Sequence, residues 1–531
     1  MKTKHYIHVL IGLFLSMAYS CIEDKTVLAD REIGDIQIEG VNKHYSIKAL
    51  GELSVEPVVY SDDPEDEFRY EWYLFDVIQD NVLTQEEIDS YRIGDGPVLN
   101  YPVKVKSGNY RLLLKAYSKK TGLMAHVEAS VGVAETNGFF VLKETENGDT
   151  DVDLFALSDD NRSGQLFADR FRSLKGQSLS GKPRHMDVIY NQSYLNLDSL
   201  KVDKEKINID HTFFITTENN DTHFIRYSDF EDVMSEQNMF YNYPASFTPY
   251  RVVSADWYCY MLTKEGMYYT MLGNPVYVDP GCFSDAILDA SAGSEHVVTT
   301  PGRTHILYWD NETSSVRAYN LLTYSSSEVV SDKAGFATEN LPYEPLFVGI
   351  TEQAEKEYNV MLMREKNKSA TYMYFITLSY RSSTCPVDSV AVFDSNSLLN
   401  RATEFAINSG VSINRAPFLY FVADNKLYVH SLANAKEDEE VHMDGFGKGE
   451  TITYVSNPYW KNQKNPEKDF NYLIIGTQQG TAYKVYFYNM IGGKPYGNPV
   501  YTIVGTGKLK QVQFVSSIYD KKDIRYSLLD H

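Results

Sequence analysis

The sequence predicts an all-β protein, and three observations lead to this fold class. The chain of 531 residues contains 41 tyrosines and 26 phenylalanines, and aromatic residues favour strands. Glycine, asparagine and aspartate separate many of the apolar runs, which is typical of turns between strands. A two-strand pattern also recurs through most of the chain after residue 138. Together these features predict two β domains behind a short N-terminal segment that is not part of the fold.

The first 20 residues resemble a secretion signal. Lys2 and Lys4 form a short positive region, and a mostly apolar run follows over residues 6–18. Such a run is too short to span a bilayer but suits the core of a signal peptide. Small residues then precede Cys21, and this order resembles the lipobox of bacterial lipoproteins. The alternative is an ordinary cleaved signal with a chance cysteine.

The lipobox resemblance implies that residues 1–20 are removed and that Cys21 is lipidated. Residues 21–30 are then a tether, and several acyl chains hold the protein firmly on a membrane. Glu23 and Asp24 follow closely, and acidic residues there resemble the surface-export signal of Bacteroidota lipoproteins. We therefore expect an outer-membrane lipoprotein exposed at the cell surface, which contacts the membrane through its lipid alone.

Charge and cysteine content narrow the function classes further. Lysine and arginine total 50 against 72 acidic residues, a net charge of −22, which argues against nucleic acid as a partner because phosphate binding needs a basic surface. Besides Cys21, the chain has Cys259, Cys282 and Cys385. A disulfide between Cys259 and Cys282 is one interpretation, and three buried thiols are the favoured one. The sequence has no CxxC pair, and we expect no bound metal and no cofactor.

The first predicted domain covers residues 31–135. Short alternating segments precede the run 68–75, which contains Trp72, and a lone tryptophan in such a strand is typical of a sandwich core. Thr84 and Glu87 predict a capping box and a short helix. Glu-Trp-Tyr at 71–73 and Ser-Gly-Asn-Tyr at 107–110 resemble a PKD-type immunoglobulin-like domain. That resemblance implies a spacer or docking module.

Residues 138–531 predict a β-propeller. Seven hairpins recur, each an apolar and aromatic run, a polar turn and a second such run, at 139–157, 213–227, 260–272, 306–319, 360–376, 419–430 and 472–488. Their starts lie roughly 46 to 74 residues apart, near the length of one four-stranded blade. We therefore predict seven blades. An eighth blade or an insertion around residues 162–210 and a single large sandwich are the alternatives.

The whole layout resembles the PKD-like family lipoproteins of Bacteroidota. The resemblance rests on the lipoprotein signal, on segments 71–73 and 107–110, and on Gly-Phe-Phe-Val-Leu at 138–142. It implies a neighbourhood of SusC-type importers and SusD-type lids. The expected function is a non-catalytic accessory role, in which the protein captures a peptide or glycan for a SusC/SusD-type complex or docks onto it.

No motif of catalytic chemistry occurs in the sequence. It lacks His-Glu-x-x-His, Gly-x-Ser-x-Gly, a Walker A loop and a dinucleotide fingerprint, so no catalytic residue is assigned. The glycines of 445–449 indicate a blade loop. Asp149, Asp151 and Asp153 resemble the start of a calcium loop without its glycine, and their spacing favours a solvated strand face instead. Carboxylate pairs for glycoside hydrolysis are spatial, which keeps open a glycan-active hydrolase or lyase on a propeller scaffold.

Four aromatic residues are the candidate ligand contacts. Trp257 and Tyr258 adjoin the third hairpin, and Tyr459 and Trp460 lie beside a loop before the seventh. Aromatic rings on a propeller face offer stacking surfaces to a sugar, or else fill the space between blades. For Trp309, inside a hairpin strand, packing is the favoured interpretation. A pure envelope scaffold without a small ligand is the third functional hypothesis.

Overall fold

The chain forms two compact units. The computed structural model describes residues 35–516, except for 77–83, 160–161, 196–206, 235, 256–257, 273–281, 289, 292, 300–304, 334, 354–355, 368, 379–382, 409–415, 434–437 and 461–469. Among the described residues, the smaller unit comprises 35–45, 54–101 and 110–131, and the larger comprises 46–53, 102–109 and everything from 132 onward. The predicted signal, tether and Cys21 lie outside the described residues.

The N-terminal strands form a β-sandwich. In chain order they are β1 Gln37–Glu39, β2 His44–Lys48, β3 Glu52–Val55, β4 Val58–Tyr60, β5 Phe68–Asp76, β6 Arg92–Gly94, β7 Leu99–Pro102, β8 Gly108–Ser118 and β9 Met124–Ala134. The main sheet has the order β2-β9-β8-β5-β6, while β1 pairs with β4 and β3 with β7. This arrangement agrees with the β-sandwich expected from the alternating segments.

Two sequence features hold this sandwich as predicted. Trp72 on β5 is fully buried, and its indole N–H donates to the carbonyl of Gly96 at 2.9 Å. The short helix α1 (Gln85–Ser90) begins after Thr84, whose side chain forms the predicted capping box with Glu87. The tryptophan therefore anchors the core, and the cap satisfies the free N–H groups at the start of the helix.

The rest of the chain forms seven blades of antiparallel strands. Blade 1 contains β10 Gly138–Glu144, β11 Thr150–Leu157, β12 Gly164–Phe167 and the C-terminal strand β37 Lys508–Val515. Helix α2 (Arg170–Lys175) follows β12. Blade 2 contains β13 Pro183–Leu195, β14 Ile207–Thr217, β15 Thr222–Arg226 and β16 Asp232–Met234, followed by α3 Glu236–Met239. The described strands of blade 3 are β17 Pro249–Ala255, β18 Tyr258–Thr263 and β19 Met267–Met271.

The remaining four blades continue in chain order. Blade 4 contains β20 Val297–Thr299, β21 His305–Asp310, β22 Ser315–Asn320 and β23 Ser325–Val330, and blade 5 contains β24 Tyr343–Gln353, β25 Lys356–Glu365, β26 Ala370–Ile376 and β27 Thr384–Asp394. The outer strands β23 and β27 pair in parallel, which joins these two blades in one sheet of eight strands. Blade 6 contains β28 Glu404–Ile407, β29 Phe418–Ala423, β30 Lys426–Ser431 and β31 Glu439–Glu440. Blade 7 contains β32 Thr451–Ser456, β34 Phe470–Gln479, β35 Ala482–Ile491 and β36 Lys494–Thr506, with β33 Tyr459–Trp460 paired to β34.

The seven blades close into a ring. The innermost strands, in ring order β37, β13, β17, β20, β24, β28 and β32, contact each other consecutively, and β32 contacts β37. Seven hydrophobic clusters fill the spaces between consecutive blades, including the space between blades 7 and 1. Since apolar side chains from two blades are buried together at each space, burial stabilises the ring as a whole. The predicted seven-bladed propeller is confirmed.

Each of the seven predicted hairpins is the central pair of strands of one blade. The hairpin at 419–430, for example, is β29 and β30, joined by Asp424 and Asn425. Both turn residues have positive φ, 52° and 61°, as a two-residue type I′ turn requires. Trp309 on β21 is 2% exposed, so its predicted packing role is confirmed. Glycines 445–449 lie in the loop between β31 and β32, as expected.

The structure contradicts the prediction for the aspartates of the first hairpin. Asp151 and Asp153 are fully buried, so the solvated strand face was wrong. Asp151 accepts the backbone N–H of Phe171 at 2.9 Å and the hydroxyl of Ser178 at 2.7 Å. Asp153 forms an ion pair with Lys143 at 2.6 Å. The two carboxylates are buried because hydrogen bonds and a charge partner satisfy them, which the strand pattern does not reveal.

Candidate functional site

A group of tyrosines at blades 3 and 4 lines the candidate site. Tyr260 on β18 lies directly opposite Tyr269 on β19, and Tyr319 on β22 comes from the next blade. With Tyr324, which precedes β23, they line a cavity of about 380 Å³. We call this space the tyrosine cavity. Its volume lies within the range of small-molecule sites.

Strand geometry explains why these rings meet. Alternate residues of a strand share a face, so Tyr258 and Tyr260 of β18 are neighbours at 6.2 Å between ring centroids. The ring of Tyr258 also meets the rings of Tyr269 at 5.7 Å and Tyr324 at 6.1 Å, both edge to face. Tyr269 and Tyr324 are 39% and 54% exposed. The cavity therefore combines a fixed aromatic base with two rings open to solvent.

Polar groups are also built into the tyrosine cavity. The hydroxyl of Tyr260 is buried and has no hydrogen-bond partner among the described residues, although its residue is 1% exposed. Asp285 lines the same space and receives one hydrogen bond on Oδ1 from Asn242 at 2.8 Å. Ser284 accepts the backbone N–H of Tyr269 at 3.2 Å. A buried hydroxyl without a partner costs free energy, so a ligand that bonds to it recovers that cost.

Two of these phenols, on Tyr258 and Tyr260, have raised pKa values. A hydrogen bond with Tyr324 and burial raise the pKa of Tyr258 to about 12. Burial raises the pKa of Tyr260 further. Because both phenols keep their protons, each is a hydrogen-bond donor as well as an acceptor.

The second candidate site is a group of charged side chains on or beside the innermost strands of the propeller. We call Asp187, Arg251, His185, His296, Glu404 and Lys510 the axial cluster. Arg251 binds Asp187 through its Nη2 at 2.6 Å and its Nε at 3.1 Å, a geometry that gives a strong pair. Five different blades supply these residues, and the ring of strands brings them together around one axis.

Burial has a marked effect on the axial cluster. It raises the pKa of Glu404 to about 7, against the opposing influence of Lys510. Burial and the charge of Arg251 lower the pKa of His185 well below its usual range. A carboxylic acid that titrates near neutral pH inside a ring of strands is suited to proton transfer.

The third candidate site is a polar cavity of about 750 Å³ at blades 1 and 2. His223 on β15 is held there between two carboxylates, with Nδ1 2.7 Å from Asp232 and Nε2 3.0 Å from Asp221. Lys175 also pairs with Asp232. Burial lowers the pKa of His223, but the two hydrogen bonds outweigh this effect and raise it to about 9. This network joins α2 to blade 2.

The predicted ligand residues lie in different surroundings. Tyr258 lies beside the tyrosine cavity, whereas Trp257 lies outside the described residues. Trp460 on β33 is 5% exposed, and its ring packs on Phe470 at 6.1 Å and Phe514 at 5.1 Å. Tyr459 pairs with Asn471 through the same short strand. Of the two predicted residues whose side chains the structure describes, Tyr258 lies at an open aromatic site and Trp460 does not. The ligand role of all four residues stays a prediction.

Sequence reasoning missed most of the tyrosine cavity. Tyr260, Tyr269 and Tyr319 appeared only as strand residues of predicted hairpins. One available signal was the density of tyrosines over 258–269, where alternation places several on one face. The contribution of the next blade, through Tyr319 and Tyr324, depends on how blades pack and has no signature within either hairpin.

The described part of the chain contains three cysteines, at 259, 282 and 385. All three are free thiols, so Cys259 and Cys282 form no disulfide. Cys259 and Cys385 are buried, as favoured from the sequence, but Cys282 is only partly buried and donates its S–H to the carbonyl of Asn238 at 3.1 Å. Within the described ranges, no group of three or more histidine, cysteine, aspartate or glutamate side chains is arranged to hold a metal ion. The same ranges contain no helix that is long and apolar enough to cross a membrane.

One family model matches part of the chain. The PKD-like family matches residues 21–183. This range begins at Cys21 and extends through the sandwich into blade 1, so the expected resemblance is confirmed for that part of the chain. No curated protein matches the chain significantly. The link of the PKD-like region to Bacteroidota lipoproteins and to SusC/SusD-type importers stays a prediction.

Several solved structures are similar to this chain at low identity. A quinoprotein alcohol dehydrogenase-like protein from Bacteroides thetaiotaomicron VPI-5482 is 13% identical, with 91% of this chain and 99% of that chain covered and a TM-score of 0.43. The Cps50 (Swd1) β-propeller domain of Myceliophteria thermophila is 9% identical over 65% of this chain and 94% of that chain, with a TM-score of 0.33. A putative 6-phosphogluconolactonase from Bacteroides uniformis ATCC 8492 is 9% identical over 71% and 95%, with a TM-score of 0.31. Such distant similarity carries no information about activity.

Proposed function

We propose that this protein is a non-catalytic, lipid-anchored protein of the outer-membrane surface. In this role its propeller captures a peptide or glycan and assists a SusC/SusD-type importer. The PKD-like region then acts as a spacer above the anchor or as a docking module. The protein contacts the membrane through the lipid on Cys21.

The observation that carries this proposal is the tyrosine cavity. It pairs exposed rings, Tyr269 and Tyr324, with a buried and unpartnered hydroxyl on Tyr260. Aromatic surface and a few fixed polar groups are the usual composition of a binding site for a small molecule. Such a site binds without chemistry, because none of the residues named here forms a nucleophile and base pair.

The N-terminal sequence supports the location. A short positive region, an apolar run and Cys21 follow one another in the order expected of a lipoprotein signal. The net charge of −22 suits a protein that stays soluble and does not adhere to other molecules outside the cell. An anchored capture protein next to an importer raises the local concentration of cargo at its entrance.

A native pull-down tests the proposed function. The C-terminus is tagged, the outer membrane is solubilised gently, and the co-purifying proteins are identified and quantified. Recovery of a SusC/SusD-type pair in near-equal amounts is the expected result. Recovery of the protein alone contradicts a stable importer complex, and recovery with envelope proteins other than an importer indicates the scaffold function instead.

The Cys21→Ala variant is the matched control for the anchor. It retains every described residue but removes the site of lipidation. We expect it to leave the outer-membrane fraction and to lose the importer pair from the pull-down. A variant that stays in the membrane fraction would rule out Cys21 as the anchor.

A second candidate function, a glycan-active hydrolase or lyase, is favoured by one observation. Partial burial raises the pKa of Glu404 in the axial cluster to about 7, and a raised carboxyl pKa suits a general acid. Release of reducing ends from a panel of polysaccharides by the full-length protein tests this candidate. Loss of release in Glu404→Gln, but not in the exposed loop variant Glu312→Gln, would support an enzyme. If the unmodified protein releases none, the candidate fails.

A further inference from the structure

We infer that the tyrosine cavity binds a neutral carbohydrate. This inference rests on the proposed capture function and chooses the glycan over the peptide. Three features of the cavity carry it: the arrangement of its rings, the polar groups between them and the absence of cationic lining side chains among the described residues.

The rings supply the apolar part of the interaction. Tyr269 and Tyr324 are exposed, yet both pack against Tyr258 edge to face. They are therefore held in place before a ligand arrives, and binding costs little side-chain entropy. A sugar ring has an apolar C–H face, which suits such preorganised aromatic surfaces because tyrosine also offers a polar end.

The polar groups match hydroxyls rather than charges. The hydroxyl of Tyr260 both donates and accepts, and it has no partner among the described residues. Asp285 Oδ1 bonds to Asn242, and Oδ2 has no hydrogen bond to a described residue. A sugar hydroxyl donates to a carboxylate and accepts from a phenol, so neighbouring hydroxyls satisfy both groups at once. A charge-assisted bond to Asp285 is stronger than a neutral one.

Other ligand classes fit the cavity less well. An anionic ligand would face Asp285 without a lysine, arginine or histidine among the lining residues. A quaternary ammonium ion would need ring faces on several sides, but Tyr269 and Tyr324 each meet the ring of Tyr258 edge to face. The volume of about 380 Å³ is also generous for a small cation.

A binding screen with defined probes tests the ligand class. The full-length lipidated protein, purified in mild detergent, is applied to an array of neutral oligosaccharides that includes glucans, mannans, xylans and galactans. Tetramethylammonium chloride and a pool of tripeptides serve as competing probes. Titration calorimetry then measures the affinity of the strongest oligosaccharide for each variant.

The variants separate the cavity from the rest of the surface. Tyr269→Ala and Tyr324→Ala should each weaken binding about tenfold or more, because each removes a stacking surface. Tyr260→Phe should weaken it roughly three- to tenfold, since it removes one hydrogen bond. The control Tyr496→Ala, at a tyrosine 65% exposed on blade 7, should change the affinity by less than about twofold.

Tyr260→Phe also guards against misfolding as an explanation. It removes a buried hydroxyl without a partner among the described residues, so its thermal midpoint should equal or exceed that of the unmodified protein. If this variant binds more weakly while its thermal midpoint is maintained, the loss of affinity arises at the binding site and not from misfolding. An empty oligosaccharide array, unchanged affinity in the three cavity variants, or displacement by tetramethylammonium or tripeptides would overturn the inference. None of these results would change the outcome of the importer pull-down, so the ligand class and the proposed function are tested separately.

Discussion

Buried charge is concentrated at a few residues of blade 1. Lys143 on β10 is 1% exposed, and its ammonium group pairs with Asp153 at 2.6 Å and with Asp169 at 2.7 Å. Asp153 also accepts the hydroxyl of Tyr483 from blade 7 at 2.5 Å. These contacts link the first blade to the last, and they explain how a carboxylate is tolerated at full burial.

Removing the lysine from this network should be costly. Lys143→Met leaves Asp153 buried without its cation, and we expect the free energy of unfolding to fall by about 3–5 kcal/mol. Urea denaturation followed by fluorescence measures the change. Lys508→Met is the control, because the exposed Lys508 forms a surface pair with Glu144 at 3.0 Å, and its loss should cost less than about 1 kcal/mol. Equal losses for the two variants would contradict the buried network.

The histidine network predicts a pH dependence of stability. The folded-state pKa of His223 is raised to about 9, above the value of about 6.5 in an unfolded chain. Its contribution to stability is therefore fully present below about pH 6.5 and is lost as the pH rises through about 9. His223→Gln should lose on the order of 2 kcal/mol relative to the unmodified protein near pH 6, and much less near pH 10.

The comparison is made by urea denaturation at both pH values on both proteins. Because other groups also titrate in this range, the difference between the two proteins is the informative quantity. A difference that is the same near pH 6 and near pH 10 would show that the two carboxylates do not hold a protonated His223.

At the scale of secondary-structure elements, individual turns link neighbouring blades. Between β29 and β30, Asn425 has a φ of 61°. Its side chain also donates to the carbonyl of Glu450 at 2.9 Å and accepts the N–H of Ile452 at 2.7 Å. One residue therefore satisfies a left-handed turn position and connects blade 6 to β32 of blade 7.

Two substitutions at Asn425 separate these roles. Asn425→Gly keeps the backbone conformation and loses only the side-chain bonds, so we expect a cost of about 1–3 kcal/mol. Asn425→Ala loses the same bonds and adds strain from positive φ, about 1 kcal/mol more. Thermal denaturation of both variants measures the difference. A glycine variant that is no more stable than the alanine variant would contradict the type I′ turn.

The sequence predicted elements well where the information is local. The central hairpin of every blade shows as an apolar run, a turn and a second run, so the hairpins at 139–157 and 472–488 were found. The pairing of β37 with β10 was not, because those strands are far apart in sequence and their contact depends on ring closure. The burial of Asp151 and Asp153 was not predicted for a related reason, since the partners of their carboxylates come from other segments of the chain.

The candidate site was predictable only in part. Tyr258 was singled out because it lies next to a tryptophan at the edge of a strand. Tyr324 follows a turn in the next blade, and nothing in its local sequence indicates that it approaches Tyr258. Trp460 was expected beside a loop, yet the short strand β33 carries it into the aromatic core between blades 7 and 1. Packing between blades thus decides which aromatic rings remain open.

At the scale of the whole molecule, the ring is closed by the end of the chain. β37 is the innermost strand of blade 1 and pairs with β10 along its length. Gln511 on this strand also bonds to both backbone groups of Met186 on β13, at 3.0 and 2.9 Å. Closure therefore joins the two ends of the propeller and adds direct bonds to the second blade.

Removal of the closing strand should destroy cooperative folding. A chain that ends at Gly507 exposes the edge of β10 and the clusters on both sides of blade 1. We expect it to lack a sharp thermal transition and to aggregate, whereas a chain that ends at Ser516 and keeps β37 should unfold cooperatively. Scanning calorimetry of the two chains gives the comparison. A sharp transition in the shorter chain would show that β37 is not needed for closure.

Growth on the captured carbohydrate tests the central claim most directly. The strongest oligosaccharide from the array is supplied as the sole carbon source to cells of the native host that carry the unmodified protein, Tyr324→Ala or Tyr496→Ala, with equal surface amounts verified by immunolabelling. If the tyrosine cavity captures cargo for import, growth at limiting oligosaccharide slows with Tyr324→Ala and stays normal with Tyr496→Ala. Equal growth of all three strains would contradict a role of this cavity in nutrient capture.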